Sequence, residues 1–397
     1  MSGIALGPVL SGVLLNHFWW GSVFLINVPI VVLALIAVVF LMPESRGFGK
    51  FRLDATGVVI SSVGLVALTY GVIRAGQDGW SNSLAIGTMA AGAVALAGFV
   101  AWERHVGRRG RQPLVDLTLF RSAGFTWGTT LSTMISFALF GLTFAMPQFF
   151  LDVKGLNSLA SGIRMLPLIG GLAIGLGIGQ RLQSPRKSRG GGAARPPLAG
   201  ARPVGAGGFA IMAAALAIGT ATSAASGTGF ISAWFAATGF GLGLAMPTML
   251  NAALSALTPE RSGSGSALMT AMRQVGATIG VAVLGTVLNS VYRSKLVLSG
   301  LPADVTAFAR SSVGTGVSVA LRLRSPLLLD AVRAGYASGV DIMLWVCAGI
   351  AITAAVLAAL FLPRHPEGTV GAPGPVADTV SGDGLAPASK AGPAGAE

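Results

Sequence analysis

Charge is the first thing this chain is short of. Of its 397 residues only 10% are Asp, Glu, Lys or Arg, against roughly 25% in a soluble domain. That deficit excludes a water-facing surface of ordinary extent. Cysteine is reduced to Cys347, which lies in an apolar run. A single thiol excludes an intrachain disulfide and a thiolate metal site, and leaves it as a small buried hydrophobe. Tyrosine is scarce beside phenylalanine, 3 against 19, as expected where aromatic hydroxyls find few partners. The three histidines, His17, His105 and His365, fall between apolar runs or in the tail. No Ser–Lys pair or paired carboxylate sits inside a run, so the sequence disfavours an intramembrane enzyme and implies no cofactor or metal. Asp and Glu are missing from the depth of every run. The start, Met1-Ser2-Gly3-Ile4, has no basic leader region and enters an apolar stretch at once.

What remains is apolar. The chain is 53% hydrophobic with 57 glycines, and its mean hydropathy is +0.73. A crossing helix needs about 20 apolar residues. Ten runs qualify or nearly do: 2–16, 23–42, 55–75, 85–103, 124–149, 162–180, 204–222, 229–250, 264–290 and 341–362. The fold class is therefore an all-α polytopic membrane protein with about ten spans and the lipid bilayer as its first partner. The net charge of +13 does not signal nucleic acid, because the cations sit between runs rather than on a soluble face.

Those cations alternate. Segments 43–54, 104–123 and 181–203 are rich in Arg and Lys, while 17–22, 76–84, 150–161 and 223–228 hold only Lys154 between them. Cytoplasmic loops carry the excess of Lys and Arg, so the basic loops and the tail are expected in the cytoplasm, at the cell membrane. Segment 291–340 breaks the rule with Arg293, Lys295, Arg310, Arg322, Arg324 and Arg333. Its mixed stretch 305–335 suggests a helix lying at the interface. The tail, 364–397, is rich in Pro, Gly and Ala and is expected to be disordered.

Several runs carry bends. The first reads Gly3-Ile4-Ala5-Leu6-Gly7-Pro8-Val9-Leu10-Ser11-Gly12. Small residues four apart let helices approach, and proline frees a carbonyl. Trp19-Trp20-Gly21 leads to Ile26-Asn27-Val28-Pro29; Asp54-Ala55-Thr56-Gly57 opens one run and Gly76-Gln77-Asp78-Gly79-Trp80 closes it. Pro113-Leu114-Val115-Asp116 through Arg121 precedes another. Pro167, Gly239, Gly243 and Pro247 mark further smooth or bent helices, as in the moving parts of transporters. Gly175-x-Gly177-x-Gly179 lies inside a run, which excludes a nucleotide loop.

Together these segments resemble the major facilitator superfamily, and within it the 14-span drug:proton antiporter branch. Gly3, Gly7, Pro8 and Gly12 are similar to the antiporter motif of the fifth span, with Ser11 for a glycine. The resemblance implies four parts: 1–42, the last two spans of an N-terminal bundle; 43–123, two linking spans; 124–363, a C-terminal six-helix bundle; and 364–397, a cytoplasmic tail. It also implies a monomer that exports an amphipathic small molecule, cations included, in exchange for protons by alternating access. Gln148, Asn251 and Arg273 are the candidate cavity-lining polar groups. Four spans of the family pattern precede nothing in this chain, so truncation is expected, and four spans need roughly 110–150 residues of upstream coding sequence. The acid-free stretch from Arg181 to Arg189 departs from the pattern and suggests a local reading-frame error or a divergent loop. The alternatives are a metabolite exporter of the same fold and a truncated membrane protein that transports nothing.

Overall fold

The computed structural model describes residues 2–41, 54–109, 115–184, 200–255, 257–258, 262–296 and 303–362. Most of loops 43–54 and 181–203, and all of the tail, lie outside them.

Helices account for nearly all of the described residues. In chain order they are α1 (Ser2–His17), α2 (Ser22–Leu25), α3 (Asn27–Leu41), α4 (Ala55–Asp78), α5 (Ser83–Arg108), α6 (Ala123–Gln148), α7 (Ser158–Gln183), α8 (Ala201–Gly219), α9 (Thr228–Leu254), α10 (Ser262–Lys295), α11 (Ala303–Ser311), α12 (Val313–Arg322) and α13 (Pro326–Phe361). A wider turn, Phe149–Val153, extends α6. Among the described residues nine stretches are long and apolar enough to cross a membrane, counting α2 with α3. The first expected run is helical too, but α1 has only 16 residues.

The motifs of the sequence are the ends of these helices. Asp54 caps α4, accepting from Gly57 N at 3.1 Å and from Trp102 Nε1 at 2.8 Å. That ties the start of α4 to the end of α5. Gly79 stops α4 with φ of +99°, a left-handed conformation that favours glycine. Asp116 caps the short turn Leu117–Arg121 through Thr118 N at 3.0 Å.

Glycine decides how the long helices meet. α7 and α9 lie side by side along their lengths. A Cβ on Gly239 would sit 1.9 Å from the Leu168 carbonyl oxygen, and one on Gly243 2.2 Å from that of Leu172. Gly171 and Gly175 face the carbonyls of Ala236 and Phe240 just as closely. Bare backbone meets bare backbone, the contact that small residues allow in a membrane. α8 and α6 pack on α9, α13 packs on α8, and α6, α10 and α13 complete the core. Pro167 and Pro247 lie inside α7 and α9. α1 reaches the start of α7, where a Cβ on Gly12 would be 2.7 Å from Leu159 Cα; one on Gly7 would meet nothing within 4 Å. Gly3 and Pro8 lie in the same helix. α3 has no buried residue, and Phe40 and Leu41 are 82% and 79% exposed. Such a surface suits hydrocarbon, not water.

The structure corrects three expectations. The last span does not begin after Asp341. α13 starts at Pro326, capped by Ser325, whose hydroxyl accepts from Leu328 N at 3.3 Å. Asp330, Arg333 and Asp341 interrupt the apolar pattern, but packing against α12 and α10 buries Leu328, Val332 and Tyr336 and carries the helix through. Asp341 therefore lies near the middle of a helix rather than at its start. His105 lies in the last turn of α5 rather than in a loop. Finally, 305–335 is not one interfacial helix but α11, α12 and the first turns of α13, with Ala309, Val313 and Ala320 buried on the protein.

Candidate functional site

α10 is the hub that positions the site. Its Gly280 rests on the Phe137 carbonyl of α6, where a Cβ would be 2.3 Å away. Gly339 of α13 rests on the Leu288 carbonyl, and Gly76 of α4 on Thr286, each with 2.6 Å to a built Cβ. Thr286 Oγ1 also donates to Val72 O at 3.1 Å. Three helices are thus fixed against a fourth at glycines, two of them on bare carbonyls and one on the Thr286 side chain. Where larger residues hold them apart, a cavity of about 540 Å³ opens between α4, α6, α10, α13 and the α11–α12 junction. That size falls within the range of about 300–1,000 Å³ for ligand pockets.

The α10 wall is a stripe: Thr278, Ala282, Gly285, Asn289 and Tyr292 recur at steps of three and four residues, one face of a helix. Phe144 and Gln148 come from α6, Thr69 and Gln77 from α4, and Tyr336 from α13. Both tyrosine hydroxyls are committed. Tyr292 donates to Ala309 O at 2.7 Å and Tyr336 to Ala145 O at 3.0 Å. The first bond brings α11 over the cavity.

Arginine completes that cap. Arg293 Nε donates to Arg310 O at 3.1 Å, and its Nη1 to Gln77 O. One guanidinium therefore caps the carboxyl ends of α11 and α4, where carbonyls lack helical partners and the dipole favours a cation. Arg310 Nη2 reaches Leu296 O at 3.3 Å. Basic residues that disturb the loop-charge pattern are used here as struts. Lys154 is another: its Nζ donates to Ala224 O at 2.7 Å and Ser226 O at 2.6 Å, joining the turn after α6 to the turn before α9. Burial, and then the nearby Arg164 guanidinium, hold its ammonium below the usual lysine range.

Of the polar residues singled out in the sequence, Gln148 stands on the cavity wall. Arg273 does not. It lies in the α6–α10 seam, with Nε 3.5 Å from Ser136 Oγ. Asn251 lies elsewhere again, near the last turn of α7: its Nδ2 is 3.5 Å from Gln183 Oε1, and Gln183 Nε2 donates to Thr248 Oγ1 at 2.5 Å. Thr69, Asn289 and Tyr292 were missed. The four-and-three spacing of the α10 stripe was a signal that could have found the last two. Cys347 is buried and free. Asp341 Oδ1 is enclosed and has no hydrogen-bond partner among the described residues. Those residues hold no cluster of three His, Cys, Asp or Glu that could bind a metal.

Fold and cavity define a class: a multi-pass helical membrane protein whose long apolar helices line a ligand-sized space. A family model described as the Major Facilitator Superfamily matches residues 1–281, and the chain belongs to that superfamily of transporters. It is 29% identical over 392 residues to the tetracenomycin C resistance and export protein of Streptomyces glaucescens, covering 96% of this chain and 70% of that one. It is 29% identical over 374 residues to the multidrug efflux pump LfrA of Mycolicibacterium smegmatis, covering 91% and 69%. With the multidrug resistance protein Stp of Mycobacterium tuberculosis it shares 31% over 287 residues, 72% of this chain and 50% of that one.

Proposed function

We propose that this protein exports amphipathic small molecules across the cell membrane by alternating access, driven by proton antiport, as a member of the 14-span drug:proton branch. The cavity carries the reading: a ligand-sized space among crossing helices that meet through glycine. Contacts between glycine and backbone carbonyls put no interlocking side chains in the way of one helix sliding past another. Relatives named for drug efflux and antibiotic export support the cargo class.

Several finer points follow from the same reading. α4 and α5 are two linking spans, α6 to α10 with α13 form the C-terminal bundle, and α1 to α3 belong to an N-terminal one. Basic loops and the tail face the cytoplasm, and the protein acts as a monomer. Proton coupling needs a titratable group in the pathway, and a carboxylate inside a membrane helix is a functional residue by default. Asp341 is the group we assign to it. Arg273 and Asn251 remain candidates for the path between the cavity and the other face.

Expression in a host stripped of its own efflux pumps tests the reading. Resistance to a panel of amphipathic toxins should rise, with lower intracellular accumulation. Unchanged susceptibility with the protein present in the membrane would overturn it. The Streptomyces relative named for exporting tetracenomycin C favours a second reading, an exporter of an endogenous metabolite. Loss of one compound from the culture medium on deletion, without drug sensitivity, would select that reading.

A further inference from the structure

The cavity has a chemical preference that membership in the superfamily does not supply. None of its lining residues is Asp, Glu, Lys, Arg or His. Asp152 lies within electrostatic reach of Tyr292 and Tyr336 but is not among the lining residues, so a cation entering the cavity would give up water without a carboxylate to bind it directly, which is costly. Facing rings do not make up the difference: Tyr292 and Tyr336 meet edge to face at 6.3 Å rather than as a stacked cage, and a cation–π contact returns less than burial of an ion costs.

The wall is not inert either. Most of its polar groups are already spent. Thr278 Oγ1 donates to Gln274 O at 3.0 Å, and Thr286 and the two tyrosines to the carbonyls given above. Four groups stay uncommitted among the described residues. Thr69 Oγ1 is buried without a hydrogen-bond partner. The side-chain amides of Gln77, Gln148 and Asn289, on the α4, α6 and α10 walls, make no hydrogen bond among the described residues. An amide both donates and accepts, and so does a hydroxyl. Leaving such groups unpaired beside an apolar occupant is unfavourable, so they favour an occupant that satisfies them.

We propose that this cavity binds uncharged amphipathic molecules carrying both a hydrogen-bond donor and an acceptor, with Thr69 of α4 and Asn289 of α10 reading those groups. The proposal rests on the transport reading above and deepens it. α4 is then part of the ligand site rather than only a link, because it supplies Thr69 and is held in place by the Gly76–Thr286 contact.

The test titrates tritiated corticosterone, a neutral steroid with hydroxyl and carbonyl groups, and tritiated tetraphenylphosphonium against the full chain in lipid nanodiscs. The steroid should bind saturably, at least tenfold tighter than the cation. Thr69→Val and Asn289→Leu preserve shape and should each weaken steroid binding about fivefold, the worth of one hydrogen bond. Gly285→Leu should abolish it: a Cβ there meets nothing nearer than Phe144 Cε1 at 3.4 Å, so the added side chain fills the space. Equal or tighter binding of the cation, or steroid binding indifferent to all three variants in protein of native helicity, overturns the proposal. Cellular export separates the two claims. Export of the cation without steroid binding sinks this site and leaves transport standing. Steroid binding that responds to the variants, with no export of either compound, sinks transport and leaves the site.

Discussion

At the scale of single residues, the account turns on where a side chain is forbidden and where one is exposed to consequence. Gly239 and Gly177 are both glycines in apolar helices, yet they differ. A Cβ on Gly239 would enter the Leu168 carbonyl, while one on Gly177 would meet nothing within 4 Å. Gly239→Ala should destabilise the fold by about 1–3 kcal/mol through overpacking, and Gly177→Ala should not. Thermal unfolding in detergent checks the pair; equal midpoints would refute the close α7–α9 contact. Asp341 invites a functional substitution. Asp341→Asn should leave the protein folded and remove the dependence of export on the proton gradient, read by dye efflux at several external pH values. Export that keeps its full gradient dependence would contradict the coupling role. The sequence showed the glycines as a pattern, but not which of them faced a neighbour. That depends on rotation about the helix axis, which composition does not set. It put Asp341 at the start of the last run, because the polar neighbours before it made their stretch look like a loop.

At the scale of elements, apolar runs and their ends were the most legible feature. Asp54, Gly79 and Asp116 act as caps or stops by their own local chemistry, so short motifs located them well, whereas the cap at Ser325 stood in no motif. Segment 291–340 was the least legible, because its structure is set by contacts far along the chain. Arg293 binds the carbonyl of Gln77, and Tyr292 that of Ala309. Tyr292→Phe removes the hydroxyl that donates to that buried carbonyl and should cost about 1–3 kcal/mol. The loss should appear locally, as faster amide exchange across 303–322, with exchange in α7 and α9 unchanged. Uniform loss of protection would mean that α11 and α12 fold with the core rather than as a cap upon it.

For the whole molecule, the apolar runs and the family resemblance carried by the motifs read the class of fold, and the nine membrane-length helices among the described residues agree with it. The cavity was only partly foreseen. Gln148 stood out as a polar residue late in a span, but Thr69 and Asn289 gained meaning only once α4 was seated against α10. The arrangement of three helices around a glycine-lined hub is a tertiary fact, and no local window contains it. The central claim is vectorial transport of an amphipathic molecule. Reconstituting the full chain into proteoliposomes and imposing a proton gradient tests it most directly. The account predicts that a neutral amphipathic dye accumulates in the lumen when the lumen is acidic, and that a protonophore abolishes the accumulation. Folded, reconstituted protein that moves no dye under any gradient would contradict it.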